Sequence, residues 1–186
     1  ILSKRSRQKG KRGRILVIKL SAMGDTILLI PVLRTIKRKY PRAHISMIVS
    51  PINKDVITHC PYVDEIILLN IKKTLFYPVN LLKFVKMLKS KRFDLALDFD
   101  QWLRISPLLS YFSGAEERIG FKTRGQFKHL LFTRAVPHQP GRHEVECFFD
   151  LIQEEGVERE THLELKIFQE DRVRIEKFLK EHSVLS

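Results

Sequence analysis

The stretch from Arg14 to Pro41, RILVIKLSAMGDTILLIPVLRTIKRKYP, restricts the possible fold more than any other part of this chain. Ile15 to Leu20 is a short run rich in β-branched residues, as expected of a strand buried on both faces. Ser21, Ala22 and Gly24 then make a tight turn of small residues. Asp25 and Thr26 follow as N-cap candidates for a helix running to about Tyr40. Pro31 lies too deep to be a first-turn residue of a helix that begins near Asp25, so a kink or a late start is expected there. Strand, turn and helix start in succession place a carboxylate at the carboxyl end of a strand, where open α/β sheets bind their ligands.

The turn itself has two readings. Small residues between a strand and a helix often do no more than ease the backbone. The turn also lacks the three glycines of the dinucleotide fingerprint. A carboxylate at a helix start repels phosphate, so Asp25 suits a general base better than part of a phosphate cradle.

Downstream the pattern repeats. His44 to Val49 reads as a second strand, Pro51 to Cys60 as a short helix and Glu65 to Leu69 as a third strand. A helix is expected over Pro78 to Arg92, a strand over Phe93 to Phe99, a helix over Leu103 to Phe112 and a strand over Glu117 to Phe121. His143 opens a helix to Ile152, Leu163 to Ile167 reads as a last strand, and Gln169 to His182 as a charged helix. Strands alternating with helices predict parallel strands joined by right-handed crossovers, an α/β sheet with helices on both faces.

Periodicity in the Pro78 helix turns Leu81, Leu82, Val85 and Leu88 inward and Lys83, Lys86, Lys89 and Lys91 outward. The basic face is either a solvated surface or a membrane-facing one, with Phe76, Tyr77 and Phe84 as interfacial anchors. Alternation in the Phe93 strand puts Asp94, Ala96, Asp98 and Asp100 on one side and Leu95, Leu97 and Phe99 on the other. Asp98 and Asp100 form an Asp-x-Asp pair, a weak metal signal without further oxygen ligands at set positions.

At 186 residues, 44% hydrophobic, the chain fits one soluble domain with a real core. No apolar run approaches the roughly 20 residues of a membrane-spanning helix, and no signal-peptide pattern is present. Cys60 and Cys147 lack any metal-type CxxC spacing and read as reduced thiols of a cytoplasmic protein. The formal charge is +13, and residues 1–14 hold seven Lys and Arg and no acid. This segment is expected to be a flexible basic arm, either a solvated tail or a contact for an anionic partner, nucleic acid or an acidic membrane leaflet.

The segment IKLSAMGDTILLIPVLRTIKRKYP resembles the opening of glycosyltransferase family 9, the ADP-heptose:lipopolysaccharide heptosyltransferases. The matching positions are Ser21, Gly24, Asp25, Pro31 and Pro41. The likeness continues through FDLALDFDQWLRIS, ERIGF and GRHEVECFFDLI, and so covers most of the chain from Arg14 onward. Asp98 matches an acidic position of the family pattern and Arg104 a frequent Arg or Lys. Asp100-Gln101 departs from the usual Gln-Gly, a difference that bears on acceptor choice.

The resemblance implies that residues 15–186 are the N-terminal, acceptor-binding half of a GT-B fold, with a donor-binding half outside them. It implies metal-independent, inverting transfer of heptose from ADP-heptose to the lipopolysaccharide inner core. Asp25 would be the catalytic base. Ser21, Gly24, Thr26, Asp98, Arg104, Lys122, Arg124 and His143 would meet the acceptor, with the basic loop Lys122 to Lys128 open to a solvated reading as well. The expected partners are a lipid-linked phosphorylated oligosaccharide and the anionic inner face of the inner membrane. ADP-heptose is the donor, and no cofactor or metal is expected. Two other readings compete: another sugar-nucleotide enzyme of the same architecture, and a basic nucleic-acid-binding module. The second lacks any helix-turn-helix or RNA-motif signature.

Overall fold

The computed structural model describes residues 12–75, 77–153, 159–163 and 169–182. Six strands form one all-parallel sheet: β1 (Arg14–Lys19), β2 (His44–Val49), β3 (Glu65–Leu68), β4 (Leu95–Asp98), β5 (Glu117–Lys122) and β6 (Arg134–Pro137). Their order across the sheet is β3-β2-β1-β4-β5-β6, so the chain reverses its direction of winding between β1 and β4. That reversal opens a crevice at the carboxyl ends of β1 and β4.

The helices are α1 (Met23–Leu28), α2 (Ile30–Lys39), α3 (Pro51–Ile57), α4 (Ile71–Leu75), α5 (Pro78–Ser90), α6 (Ser106–Phe112), α7 (Glu144–Ile152) and α8 (Gln169–Glu181). The central strands bury both faces, which is why their sequences read as unbroken apolar runs. On one face Ile15, Val17, Met47, Leu97 and Phe99 pack under α2 and α7. On the other, Leu16, Ile18, Ile48 and Ala96 pack under Leu88 of α5 and Leu109 of α6. The alternation expected along β4 holds within the strand, with Leu95 and Leu97 on the first face and Ala96 on the second. Asp100, expected on the side of Asp98, lies past the strand end and turns its carboxylate toward Lys19 of β1 instead.

The helix expected from Asp25 to Tyr40 is two helices. It breaks at Leu29, and Pro31 sits in the first turn of α2, where its missing N–H costs nothing. The N-cap of α1 is Ala22, at φ 57°, so Asp25 and Thr26 are first-turn residues rather than caps. The thirteen-residue α5 also departs from its expected orientation. Leu82 is 69% exposed, whereas Phe84 packs inward beside Leu88 rather than standing out as an anchor. β6 has no counterpart among the expected strands; it is a short edge strand ending in a proline, which an edge tolerates.

Arg12 and Arg14 are anchored rather than part of a free arm. Arg12 pairs with Glu117 at 2.7 Å, and Arg14 begins β1, its N–H donating to Asp94 Oδ2. The rest of the basic arm, the anchor Phe76 and most of the strand expected at Leu163 to Ile167 lie outside the described residues. Val173, Ile175 and Phe178 of α8 are exposed. No helix among the described residues is long and apolar enough to cross a membrane.

Candidate functional site

At the end of β1 the chain places a lysine where the alternation demands an apolar residue. Lys19 follows Ile15 and Val17 on the α7 face and is wholly buried, its ammonium 5.6 Å from the Phe148 ring. A buried lysine needs partners. Lys19 Nζ donates to Asp25 Oδ2 at 3.0 Å and to Gln101 Oε1 at 3.3 Å, and lies 3.8 Å from Asp100 Oδ1. Asp25, in the first turn of α1, is thereby fixed from beneath while its side chain stays 28% exposed at the mouth of the crevice.

Asp100, just past β4, ties the two halves of the crevice together. Its carboxylate accepts from the N–H groups of Leu20 at 2.7 Å and Ser21 at 3.2 Å and from the Ser21 hydroxyl. Asn53 of α3 donates to Ser21 O at 3.3 Å from the far side. The β1–α1 turn, with its strained Ala22, is therefore held from β4 and from α3 together. Gln101 extends the network: it donates through Nε2 to Glu144 Oε2 of α7, and its carbonyl accepts from Thr123 Oγ1 at 2.9 Å.

A second charged pair lies on the opposite face of the sheet. Asp98 is wholly buried, accepts from Ser106 Oγ at 2.7 Å and from Asp100 N at 3.0 Å, and faces Lys128 Nζ at 3.8 Å. Burial is the largest influence on both groups. It raises the Asp98 carboxyl to about 7 against the opposing pull of Lys128, and it lowers the Lys128 ammonium. Lys128 also donates to the Asp100 carbonyl, which fastens the loop after β5 to the end of β4. Farther along that loop Phe132 covers Gly120 of β5, so closely that a Cβ there would fall 2.3 Å from the ring.

These contacts sort the residues expected at the site. Ser21, Gly24 and Asp25 gather at the crevice, and a Cβ added at Gly24 would meet no atom within 4 Å, so space beside that turn is open. Thr26 is buried, its hydroxyl donating to Ala22 O at 3.1 Å, and so braces the turn instead of facing outward. Asp98 is likewise internal. With Asp98 and Asp100 both engaged by protein donors, the Asp-x-Asp pair is a structural brace.

Lys122 and Arg124 stand exposed at the carboxyl end of β5, and Arg104 is exposed with its Nε donating to Gln126 at 3.2 Å. His143 is exposed as the N-cap of α7, where Nδ1 accepts from Val145 N at 3.4 Å. It borders an open groove with Leu28 and Leu163. Sequence reasoning gave no site role to Lys19 or Glu144, and met Gln101 only as a departure from the family pattern and Lys128 only as the end of a basic loop. A lysine closing a strand that is otherwise buried on both faces was the signal that could have revealed the first of them.

The exposed carboxylate, the open space beside Gly24 and the cations beyond β5 all belong to the carboxyl edge of the sheet. Such an edge can take a polar, anionic molecule and abstract a proton from it. The sequence profile of glycosyltransferase family 9 (heptosyltransferase) matches residues 81–183. Among curated proteins none matches. Among solved structures, a family 9 glycosyl transferase from Veillonella parvula superposes on 94% of this chain and 51% of its own, with a TM-score of 0.77 at 21% identity. The heptosyltransferase WaaC of E. coli, solved with ADP, covers 80% of this chain and 49% of its own, with a TM-score of 0.66 and 21% identity. The ADP-heptose lps heptosyltransferase II of E. coli covers 89% and 50%, with a TM-score of 0.69 and 23% identity. This chain thus spans about half the length of the solved structures it matches, and it shares with them the Rossmann-like half of a GT-B fold.

Proposed function

The chain belongs to glycosyltransferase family 9, and from that premise we propose that it is the acceptor-binding half of a heptosyltransferase acting on the lipopolysaccharide inner core. In this reading residues 15–186 form the acceptor domain and a donor-binding half lies outside them. The observation that carries it is Asp25, a partly exposed carboxylate held from inside the sheet by Lys19 at 3.0 Å.

The acceptor hydroxyl attacks the anomeric carbon of ADP-heptose. The new C–O bond forms as the bond to the diphosphate breaks, ADP departs, and Asp25 takes the hydroxyl proton. Attack opposite the leaving group inverts the anomeric centre. Ser21 and Gly24 border the acceptor at the turn, and Lys122, Arg124 and Arg104 meet its phosphates, with His143 at the rim. The donor's diphosphate is left to the other half, because Asp25 at the start of α1 repels it. The phosphorylated, lipid-linked character of such an acceptor also brings the chain to the anionic inner face of the inner membrane.

In protein carrying both halves, Asp25→Asn lowers turnover by on the order of 100-fold or more and leaves the unfolding midpoint in place. Near-normal turnover in that variant removes Asp25 from the mechanism.

A further inference from the structure

Among the described residues near the crevice, His138 has a buried imidazole that no hydrogen bond explains. It follows β6, and its imidazole is 4% exposed, wedged edge-on against Trp102 at 5.9 Å and Phe121 at 5.3 Å. Neither ring nitrogen has a hydrogen-bond partner. Leaving a buried polar group unpaired costs about 1–3 kcal/mol, so such a group calls for a ligand.

Two further donors face the ring from α7. Glu144 Oε1 lies 3.5 Å from His138 Nε2, while its other oxygen, Oε2, accepts from Gln101. Cys147 is buried one turn farther along α7, its thiol within 3.8 Å of the Gln139 carbonyl. The ligating atoms of His138, Glu144 and Cys147 all fall within 4.8 Å of one another.

We propose that His138, Glu144 and Cys147 hold one zinc-class divalent cation, with three protein ligands and a fourth position open. The donor set decides the class. Calcium and magnesium take oxygen ligands, whereas one nitrogen, one carboxylate and one thiolate suit a borderline-soft ion. Zinc bonds of about 2.0–2.3 Å set tetrahedral donors roughly 3.3–3.8 Å apart, so the three side chains need to close by about 1 Å. Glu144 can ligate through Oε1 without releasing Gln101, which then orients the carboxylate as outer-shell partners do. Through Gln101 and Lys19 the ion is joined to Asp25. The site stands independently of the transferase reading.

The test uses the 186-residue chain, stripped with a chelator and titrated with zinc by calorimetry and with cobalt by absorption. One equivalent of zinc binds, and cobalt gives a thiolate-to-metal charge-transfer band. Cys147→Ser abolishes the band. His138→Gln and Glu144→Gln each weaken zinc binding by at least the roughly 10- to 100-fold that loss of even an outer-shell partner costs. Cys60→Ser changes neither measurement. A wild-type cobalt complex without the band overturns the proposal, whatever the variants do. So does a band that survives Cys147→Ser but vanishes with Cys60→Ser, or zinc affinity indifferent to His138→Gln in a variant with a wild-type circular dichroism spectrum.

Discussion

Lys19 Nζ reaches Asp25 Oδ2 at 3.0 Å from a position wholly closed to solvent, while the carboxylate it holds opens onto the crevice. The ammonium is thus a fixed support for a group that must meet substrate. The same ammonium lies 3.8 Å from the buried Asp100 carboxylate, so one cation serves both the exposed acid and the acid that grips the β1–α1 turn.

Replacing that cation therefore has a stability effect as well as a catalytic one. Lys19→Met keeps the length of the side chain and takes away the ammonium 3.8 Å from the buried Asp100 carboxylate, leaving Lys128 as a cation still in contact with Asp100, at its carbonyl. Breaking a buried pair in this way costs on the order of 3–5 kcal/mol. Urea denaturation of the 186-residue chain measures it, and a change below about 1 kcal/mol would show that Asp100 is satisfied by its N–H donors alone.

Asp98 predicts how stability changes with pH. Its carboxyl ionises near 3.8 in the unfolded chain and at about 7 when folded. Between those values the folded state holds the extra proton, so stability falls as pH rises from about 4 to about 7 and then levels off. Asp98→Asn, which fits the same space beside Ser106, removes this slope. Unfolding curves at pH 5 and pH 8 should converge for the variant relative to the parent chain, and identical pH dependence in both would place the Asp98 proton elsewhere. The lowered carboxyls of Asp64 and Glu65 have the opposite sign, and their stability is lost only as pH falls below their ordinary range.

The outer face of α5 offers a test of membrane attachment. Tyr77, Val79 and Leu82 are 61–69% exposed, and Lys83 and Lys86 stand exposed on the same helix. Apolar and basic side chains combined in this way suit the interface of an anionic bilayer, where each cation contributes about 1 kcal/mol. Leu82→Asp, and separately Lys83→Glu with Lys86→Glu, should each weaken cosedimentation with anionic vesicles by several-fold or more. Binding to neutral vesicles should remain low throughout. Undiminished binding in both variants assigns the attraction to another surface, and stronger binding to RNA than to vesicles at physiological salt defeats it.

Most of the sheet was legible because parallel, doubly covered strands announce themselves as apolar runs. His44 to Val49 matches β2 residue for residue, and the oddity of Pro31 correctly marked the break between α1 and α2. β6 was not legible, since four residues at an edge carry neither a buried run nor clean alternation. The site was readable only at its rim. Ser21, Gly24 and Asp25 lie within one five-residue stretch, whereas the support beneath them joins Lys19 to Asp100, Gln101 and Glu144 across distant elements. Alternation places a side chain on a face of the sheet but says nothing about which distant partner meets it. That is why Asp98 and Thr26, expected to face the acceptor, are internal braces.

The ring of Phe132 occupies the volume that any side chain at position 120 would need. Glycine at 120 and phenylalanine at 132 are therefore a single choice made twice. A homologue with alanine or valine in the first position has to carry a smaller or displaced residue in the second. Because Phe132 closes the loop that Lys128 pins to Asp100, the two positions are expected to drift together along a lineage, and to carry the shape of that loop with them.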